Sequence, residues 1–223
     1  MRSLYRTIDR VDLRDAFAIA AAVGVVGASY GALAASAGLS IPITIGMSLI
    51  VFAGGSQFLV VAVVAAGGSP FAAVVGGLLL NARHFPFGLA MSGVIADSLP
   101  ARLVGAHVMI DESVAFSRAR GTGERGRAAF WMCGVLLFVC WQIGTVVGVL
   151  AGNVVPDPSV FGVDAAFPAA LLALLLPGLR RADARRVGLT AAAIALLATP
   201  FLPPGLPVLV GLLGLLVAGR SEQ

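Results

Sequence analysis

The chain contains no lysine, since all 15 of its basic residues are arginine. A phosphate-binding loop of the G-x-x-x-x-G-K-[ST] type requires a lysine, so this absence excludes ATP hydrolysis at such a site within the chain. Charged residues make up only 12% of the sequence and aromatic residues only 7%. The chain has no basic patch interleaved with aromatic residues, and we therefore exclude nucleic acid as a partner.

Cysteine is also scarce, and the two present, Cys133 and Cys140, lie in one apolar segment. Their spacing places them about 10 Å apart along a helix at roughly 1.5 Å per residue. That separation is too large for a disulfide within the helix. We interpret both cysteines as small hydrophobic residues in helix packing, which says little about the compartment of the protein.

Apolar residues are abundant: they make up 59% of the sequence, and the mean hydropathy is +0.98. This composition is far from that of a soluble domain and predicts an all-α integral membrane protein. Residues 16–219 are expected to form a single membrane domain. About seven hydrophobic segments are visible in it, near residues 16–37, 41–66, 69–97, 128–155, 165–180, 187–202 and 205–219.

The N-terminal leader, residues 1–15, predicts an amphipathic helix on the cytoplasmic membrane surface. Leu4, Ile8 and Val11 follow helical spacing, and arginines four positions apart lie on another face. A cleaved signal peptide is an alternative, because a small-residue "ALA" follows at 32–34. We prefer an uncleaved span, since the 22 residues of 16–37 are enough to cross a bilayer.

Arginine is concentrated in three stretches, residues 1–15, 98–127 and 180–186, and Arg220 follows near the end. The positive-inside rule places all of these in the cytoplasm, together with both termini. Three complete crossings before residue 98 would place the 98–127 connection outside. Either a segment within 41–97 is therefore re-entrant, or residues 100–117 form an extra crossing. The 69–97 segment is the expected re-entrant one, because "NARHFPFG" interrupts it.

Polar residues within these segments mark the candidate site. The stretch "FAGGSQF" contains Gly54, Gly55, Ser56 and Gln57, where the glycines permit a helix break and Gln57 offers donors and an acceptor. Packing glycines and an interhelical bond from Gln57 would explain the same residues.

The second polar stretch contains Asn81, Arg83 and His84, whose burial in lipid would be costly without a partner or a role. Snorkelling of Arg83 toward lipid headgroups is the structural alternative. If Arg83 is buried, we expect it to pair with Asp111 or Glu112.

The third polar stretch, "HVMIDES", places His107 and Asp111 four residues apart, hence on one predicted helical face, and Glu112 follows directly. Such a pair fits a metal site as well as a solvated helix surface, although a third ligand at a familiar spacing is missing.

Small-residue rows, at 27–31 and at Gly144, Gly148 and Gly152, predict close helix packing within the protein or with a partner chain.

The motifs "FAGGSQF", "NARHFPFGLAMS" and "MIDESVAFS", in this order, resemble those of the AzlC type of branched-chain amino acid permease, the large subunit of a two-component exporter. The resemblance covers roughly residues 15–219. It implies export of valine, leucine, isoleucine or similar neutral amino acids, with a small AzlD-type membrane subunit as partner. Pro86 departs from the pattern of the family. The family-like positions are Gly54, Ser56, Gln57, Asn81, Arg83, His84, Gly88, Asp111 and Glu112.

A zwitterionic substrate needs donors, acceptors and an apolar pocket. The expected substrate-binding residues are Gly54, Gly55, Ser56, Gln57, Asn81 and Arg83. His84, Asp111 and Glu112 are the expected ion-coupling residues, and no cofactor is expected. The alternatives are an intramembrane metal-dependent enzyme that uses the histidines and carboxylates, and a non-transporting membrane assembly subunit whose purpose is its glycine rows. A second copy of the chain is a further candidate partner.

Overall fold

The structure is a computed structural model that describes residues 8–95, 98–121, 123–154, 178–202 and 206–217, with the isolated positions 172 and 176. Every regular element in these residues is a helix, so the all-α prediction is confirmed for them. Residues 1–7 of the predicted leader and most of the predicted segment 165–180 lie outside the described residues.

In chain order the described helices are α1 (Arg10–Ser36), α2 (Ile41–Val51), α3 (Gly54–Ala65), α4 (Pro70–Asn81), α5 (His84–Met91), α6 (Leu99–His107), α7 (Asp111–Arg118), α8 (Glu124–Val154), α9 (Ala182–Ala198) and α10 (Leu206–Val210), with short 3-10 helices at Gly178–Arg180 and Gly211–Val217. Of the described helices, α1 and α8 are long and apolar enough to cross a membrane. Within the described ranges, the predicted segments 41–66, 69–97, 187–202 and 205–219 consist of shorter helices, so the structure does not confirm seven spans.

Helices α1 and α8 run parallel and pack through their small residues. A side chain on Gly31 would collide with the backbone at Thr145, and one on Gly148 would collide with the carbonyl of Ala28. Such close approach of two backbones needs glycine or alanine at the contact. Both predicted rows therefore face each other inside the protein.

The N-terminal ends of α1 and α8 meet in a cluster of charged side chains. The Asp9 side chain caps α1 by accepting from the Asp12 amide at 2.8 Å. Arg125 donates to both carboxylates, at 2.9 and 2.8 Å, and Arg120 donates to Asp12 at 2.7 Å. We call this the charged end, defined by these four residues, and the opposite end of α1 the Ser36 end.

Helices α2 and α3 form a hairpin that enters from the Ser36 end. Along α2, Ser48 bonds Gln142, and Phe52 then packs on Phe138, nearer the charged end. The helix stops there because Phe52 adopts a left-handed conformation (φ 40°, ψ 49°) and Ala53 is extended. α3 then turns back, since Phe58 lies 5.8 Å from the Tyr30 ring.

Helices α4 and α5 together run from the Ser36 end to the charged end. α4 packs antiparallel to α3, because Leu80 lies beside Gly55 and Gly76 beside Leu59. Beyond α5, the Val94 carbonyl accepts from Arg127 near the start of α8. The prediction that the chain reverses within the 69–97 segment is thus wrong, because α4 and α5 continue in one direction, and the reversal lies instead between α2 and α3.

The interruption between α4 and α5 is mild. Ala82 and Arg83 keep right-handed helical angles, and the Phe85 amide bonds the Ala82 carbonyl at 3.1 Å. Pro86 has no amide hydrogen to bond that carbonyl in the α-helical pattern, and its ring crowds it. The turn before Pro86 is therefore tighter than an α-helical turn, and the chain keeps its direction.

Helices α6 and α7 form a second hairpin, which enters from the charged end. Its turn, at residues 108–110, packs against the middle of α8, where Val108 contacts Gly134. α7 then returns, and Ser117 donates to the Gly126 carbonyl at 2.8 Å. Part of the predicted cytoplasmic connection 98–127 is therefore inserted among the helices. Each hairpin returns to the end from which it enters, and only α4 and α5 carry the chain from the Ser36 end to the charged end. α1 and α8 therefore run in the same direction.

The C-terminal helices form a smaller packing unit. A side chain on Gly214 would meet the backbone of Ala191 in α9, and one on Gly211 would lie 3.1 Å from the Ala191 carbonyl oxygen. The 3-10 helix Gly211–Val217 thus packs closely on α9. These elements supply none of the site residues that the sequence predicts.

Candidate functional site

The tips of the two hairpins meet beside the middle of α8. The Phe52 ring lies 6.1 Å from the His107 ring, and both pack on Phe138, at 5.0 and 5.5 Å. α3 and α7 each begin at one of these tips. Their N-terminal ends, which carry partial positive charge and free amide hydrogens, are therefore brought toward one region from opposite sides.

Arg83 links three elements at this meeting point. Its Nη1 atom lies 3.1 Å from Oδ2 of Asp111, the first residue of α7. Its Nη2 atom lies 3.4 Å from the position that a Cβ on Gly55 would occupy. The expected pairing of Arg83 with a carboxylate of the third motif is confirmed. We call this region, with Gly54, Gly55, Gln57, Asn81, Arg83 and Asp111, the central site.

Four buried polar atoms at or near the central site lack a hydrogen-bond partner of good geometry. They are Gln57 Nε2, Asn81 Oδ1, Arg83 Nε and Trp141 Nε1. A buried donor or acceptor without a partner costs about 1–3 kcal/mol, and native proteins keep few of them. Three donors and one acceptor in one region are an arrangement that can bind a polar ligand.

Ser56 and the other end of the Gln57 amide stabilise the break itself. The Ser56 hydroxyl donates to the Ala53 carbonyl at 2.9 Å, and Gln57 Oε1 accepts from the Ala53 amide at 3.2 Å. These bonds satisfy backbone groups that the reversal of the chain frees. The Oε1 atom of Gln57 thus stabilises the break between α2 and α3, and its Nε2 atom takes no part in that contact.

His84 lies at the start of α5, and its Nδ1 is 3.0 Å from the Asn81 carbonyl oxygen. This contact closes the interruption between α4 and α5. Its ring also meets the Phe87 ring edge-on, at 6.1 Å. Two of the expected ion-coupling residues therefore adjoin Arg83. His84 follows it in the sequence, and Asp111 forms the ion pair with it. Glu112 stands beside Asp111 in the first turn of α7.

The prediction that His107 and Asp111 share one helical face is wrong. His107 ends α6, Asp111 begins α7, and the residues between them leave the helical path. Within the described ranges, no group of three or more histidine, cysteine or acidic residues is arranged to hold a metal ion. The metal-dependent alternative therefore has no third ligand among these residues.

Trp141 and Tyr30 are neighbours of the site that the motifs did not reveal. Their rings stack at 5.9 Å, and the Trp141 ring covers Gly54. A tryptophan in an apolar helix has no sequence signal that separates it from core packing. Gly88, a family-like position, lies under the Met109 methyl group.

Re-entrant hairpins whose broken helices meet at a polar site are features of membrane proteins that bind substrates or ions within the bilayer. The family model described as AzlC protein matches residues 18–155. That is more than half of the chain and includes both hairpins. The chain belongs to the AzlC family of membrane proteins.

Curated relatives agree with this assignment. An uncharacterized membrane protein of Archaeoglobus fulgidus is 32% identical over 174 residues, which cover 74% of this chain and 73% of that protein. The inner membrane protein YgaZ of Escherichia coli strain K12 is 29% identical over 161 residues, covering 69% of this chain and 62% of YgaZ. An uncharacterized membrane protein of Helicobacter pylori strain J99 is 27% identical over 133 residues, 58% of each chain. No solved structure matches the chain.

Proposed function

We propose that the protein is a secondary transporter that exports branched-chain or similar neutral amino acids across the cell membrane. The observation that supports this most is the set of unpartnered polar atoms where the two hairpin tips meet. Membership of the AzlC family agrees with a transport role. A site built from broken helices can release a bound substrate when one element shifts, because its backbone groups are not locked into a continuous helix.

The central site contains complements for both charged groups of an amino acid. Gln57 Nε2, Arg83 Nε and the amide hydrogens at the start of α3 would bind the carboxylate. Asn81 Oδ1 and the carboxylate of Asp111 would accept from the ammonium group. In this arrangement the Arg83–Asp111 pair lies between the two charged ends of the substrate and fixes its orientation.

Export needs a source of energy, and we propose an ion gradient with His84, Asp111 and Glu112 as the coupling residues. Histidine is the side chain whose charge ordinarily changes between pH 5 and 8. His84 contacts the Asn81 carbonyl, so a change of its charge acts next to a proposed substrate ligand. The carboxylates lie at the start of α7, where the helix N-terminus favours negative charge.

We propose that the charged end faces the cytoplasm, together with both termini of a multi-pass chain. Arg120 and Arg125 lie at that end, as the positive-inside rule requires. α8 also carries an exposed apolar face, formed by Val135, Val139, Ile143, Val146, Val147 and Leu150. This face would contact lipid, the small AzlD-type subunit or a second copy of the chain.

Counterflow tests the proposal directly. The purified protein, with and without the small subunit, is reconstituted into liposomes loaded with unlabelled valine, leucine, isoleucine or a charged amino acid. We expect labelled leucine to accumulate against the neutral branched-chain loads, and an imposed pH gradient to change the rate. The proposal would be refuted if labelled leucine accumulated equally in liposomes without an internal amino acid, or equally with every internal amino acid, including the charged one.

A further inference from the structure

Trp141 is enclosed by aromatic rings and by the start of α3. Only 4% of its surface is exposed. Its ring stacks on Tyr30 at 5.9 Å, with an interplanar angle of 18°, and meets Phe58 edge-on at 6.4 Å. Its Cη2 atom lies 3.0 Å from the position of a Cβ on Gly54. Any larger residue at position 54 would therefore displace the indole.

The indole nitrogen of Trp141 is buried and has no hydrogen-bond partner. A buried tryptophan N–H normally finds an acceptor, and the second tryptophan follows this rule. Trp131 Nε1 donates to the Ile95 carbonyl oxygen at 2.9 Å. The chain thus satisfies one indole with its own backbone and leaves the other without an acceptor, next to the central site.

A second buried donor lies in the first turn of α3. Gly54 and Phe58 both contact Trp141 and lie four residues apart, and Gln57 belongs to the same turn of the helix. Gln57 is fully buried, and its Nε2 lacks a partner of good geometry. The nearby Tyr30 hydroxyl donates its own hydrogen to the Thr44 carbonyl at 3.1 Å and can accept one of the two Nε2 hydrogens of Gln57, which leaves the other for a ligand.

The two buried donors lie in the first turn of α3 and on the tryptophan that covers Gly54, and a group with two acceptor oxygens would satisfy both. A carboxylate has this geometry and also suits the partial positive charge of the helix end. The rings of Tyr30, Phe58 and Trp141 supply apolar surface beside the same position. A ligand with a carboxylate and a neighbouring hydrocarbon side chain fits both features.

We propose that Trp141 is a specificity-determining residue of the transporter, whose indole N–H donates to the substrate carboxylate together with Gln57 Nε2. The ring of Trp141 then forms one wall for the aliphatic side chain of the substrate. This inference rests on the proposed function, because it names the contact that selects the amino acid.

The test compares Trp141→Phe with the matched control Trp131→Phe in the purified full chain. Phenylalanine keeps an aromatic ring but has no N–H donor. Equilibrium binding is measured with leucine and with leucinol, which lacks the carboxylate. We expect Trp141→Phe to weaken leucine binding about tenfold or more, as for loss of a hydrogen bond to a charged group. Leucinol binding should change less than about threefold in the same variant, because its hydroxyl carries no charge.

Fluorescence gives a second measurement, and its main readout uses the Trp131→Phe protein, so it does not depend on how well Trp141→Phe folds. The Trp131→Phe protein has Trp141 as its single tryptophan. Saturating leucine should change the emission of this protein, and it should leave the emission of Trp141→Phe, which reports Trp131, unchanged.

The outcomes separate this inference from the proposed function. Wild-type protein that binds no neutral amino acid would refute both. Unchanged leucine affinity in Trp141→Phe, with a constant Trp141 emission, would refute the role of Trp141 alone. Equal losses for leucine and leucinol in that variant would show that the indole acts through packing and not through a bond to the carboxylate.

Discussion

Arg83 and Asp111 form an ion pair, 3.1 Å between Nη1 and Oδ2, that joins the α4–α5 traverse to the tip of the α6–α7 hairpin. The side chains are 34% and 27% exposed, so the pair is neither fully buried nor fully solvated. Such a pair contributes modestly to stability, and its value for the protein lies in positioning. It holds a cation and an anion side by side where a zwitterion would bind.

The first prediction concerns this pair. Arg83→Ala should abolish leucine counterflow, whereas Arg83→Ala combined with Asp111→Ala should melt at a higher temperature than either single variant. The reason is that each single change leaves one charge without its partner. Thermal unfolding in mild detergent measures the effect. Simple additivity of the two single losses would show that the two residues do not interact.

The second prediction concerns the charged end. Arg120 is 16% exposed, stacks on Phe116 and donates to Asp12, which is only 5% exposed. Arg120→Ala should lower the free energy of unfolding by about 2 kcal/mol, because it weakens the compensation of a buried carboxylate. The matched control is Arg125→Ala, whose side chain is 50% exposed and whose loss should destabilise the protein less than that of Arg120. A larger loss for Arg125→Ala would contradict the assignment.

The third prediction concerns the contact between α1 and α8. A methyl group on Gly148 would overlap the Ala28 carbonyl, so Gly148→Ala should destabilise the protein by roughly 1–3 kcal/mol. Gly46 is the control, since a methyl group there meets nothing within 4 Å. Gly46→Ala should be neutral or stabilising by up to about 1 kcal/mol. Chemical unfolding followed by circular dichroism would compare them, and equal stability of both variants would contradict the packing.

The fourth prediction concerns orientation. Ser40 and Ser98 are both exposed N-cap residues without a side-chain capping bond, near the Ser36 end and the charged end respectively. In a background free of Cys133 and Cys140, a membrane-impermeant maleimide should label Ser40→Cys in intact cells. Ser98→Cys should react only after the membrane is opened. The reverse pattern would invert the proposed orientation.

The sequence predicted the ion pair of Arg83 better than it predicted the path of the chain. An isolated charge in a membrane is costly, and the third motif contains two of the few carboxylates that could neutralise Arg83. The sequence therefore predicts this ion pair. The reversal at Phe52 could not be read from the sequence, since a non-glycine residue adopts a left-handed conformation only when its surroundings hold it there. Conversely, Pro86 indicated a break but only tightens the helix.

Residues chosen by spacing alone were the least reliable. His107 and Asp111 fit one helical face by number, but the chain turns between them. The role of Trp141 was invisible because burial and an unsatisfied indole nitrogen are properties of the folded chain. The glycine rows were recognised correctly as packing surfaces, and only the fold shows that they face each other.

The central claim is that a neutral amino acid binds where the two hairpin tips meet, and Asn81 tests it most directly. Asn81 Oδ1 is buried and unpartnered, whereas Asn153 bonds within its own helix, donating to the Val149 carbonyl at 2.7 Å. Leucine binding to the purified protein is measured for both alanine variants. We predict a loss of about tenfold or more for Asn81→Ala and wild-type affinity for Asn153→Ala. Wild-type affinity in a folded Asn81→Ala protein would contradict the claim.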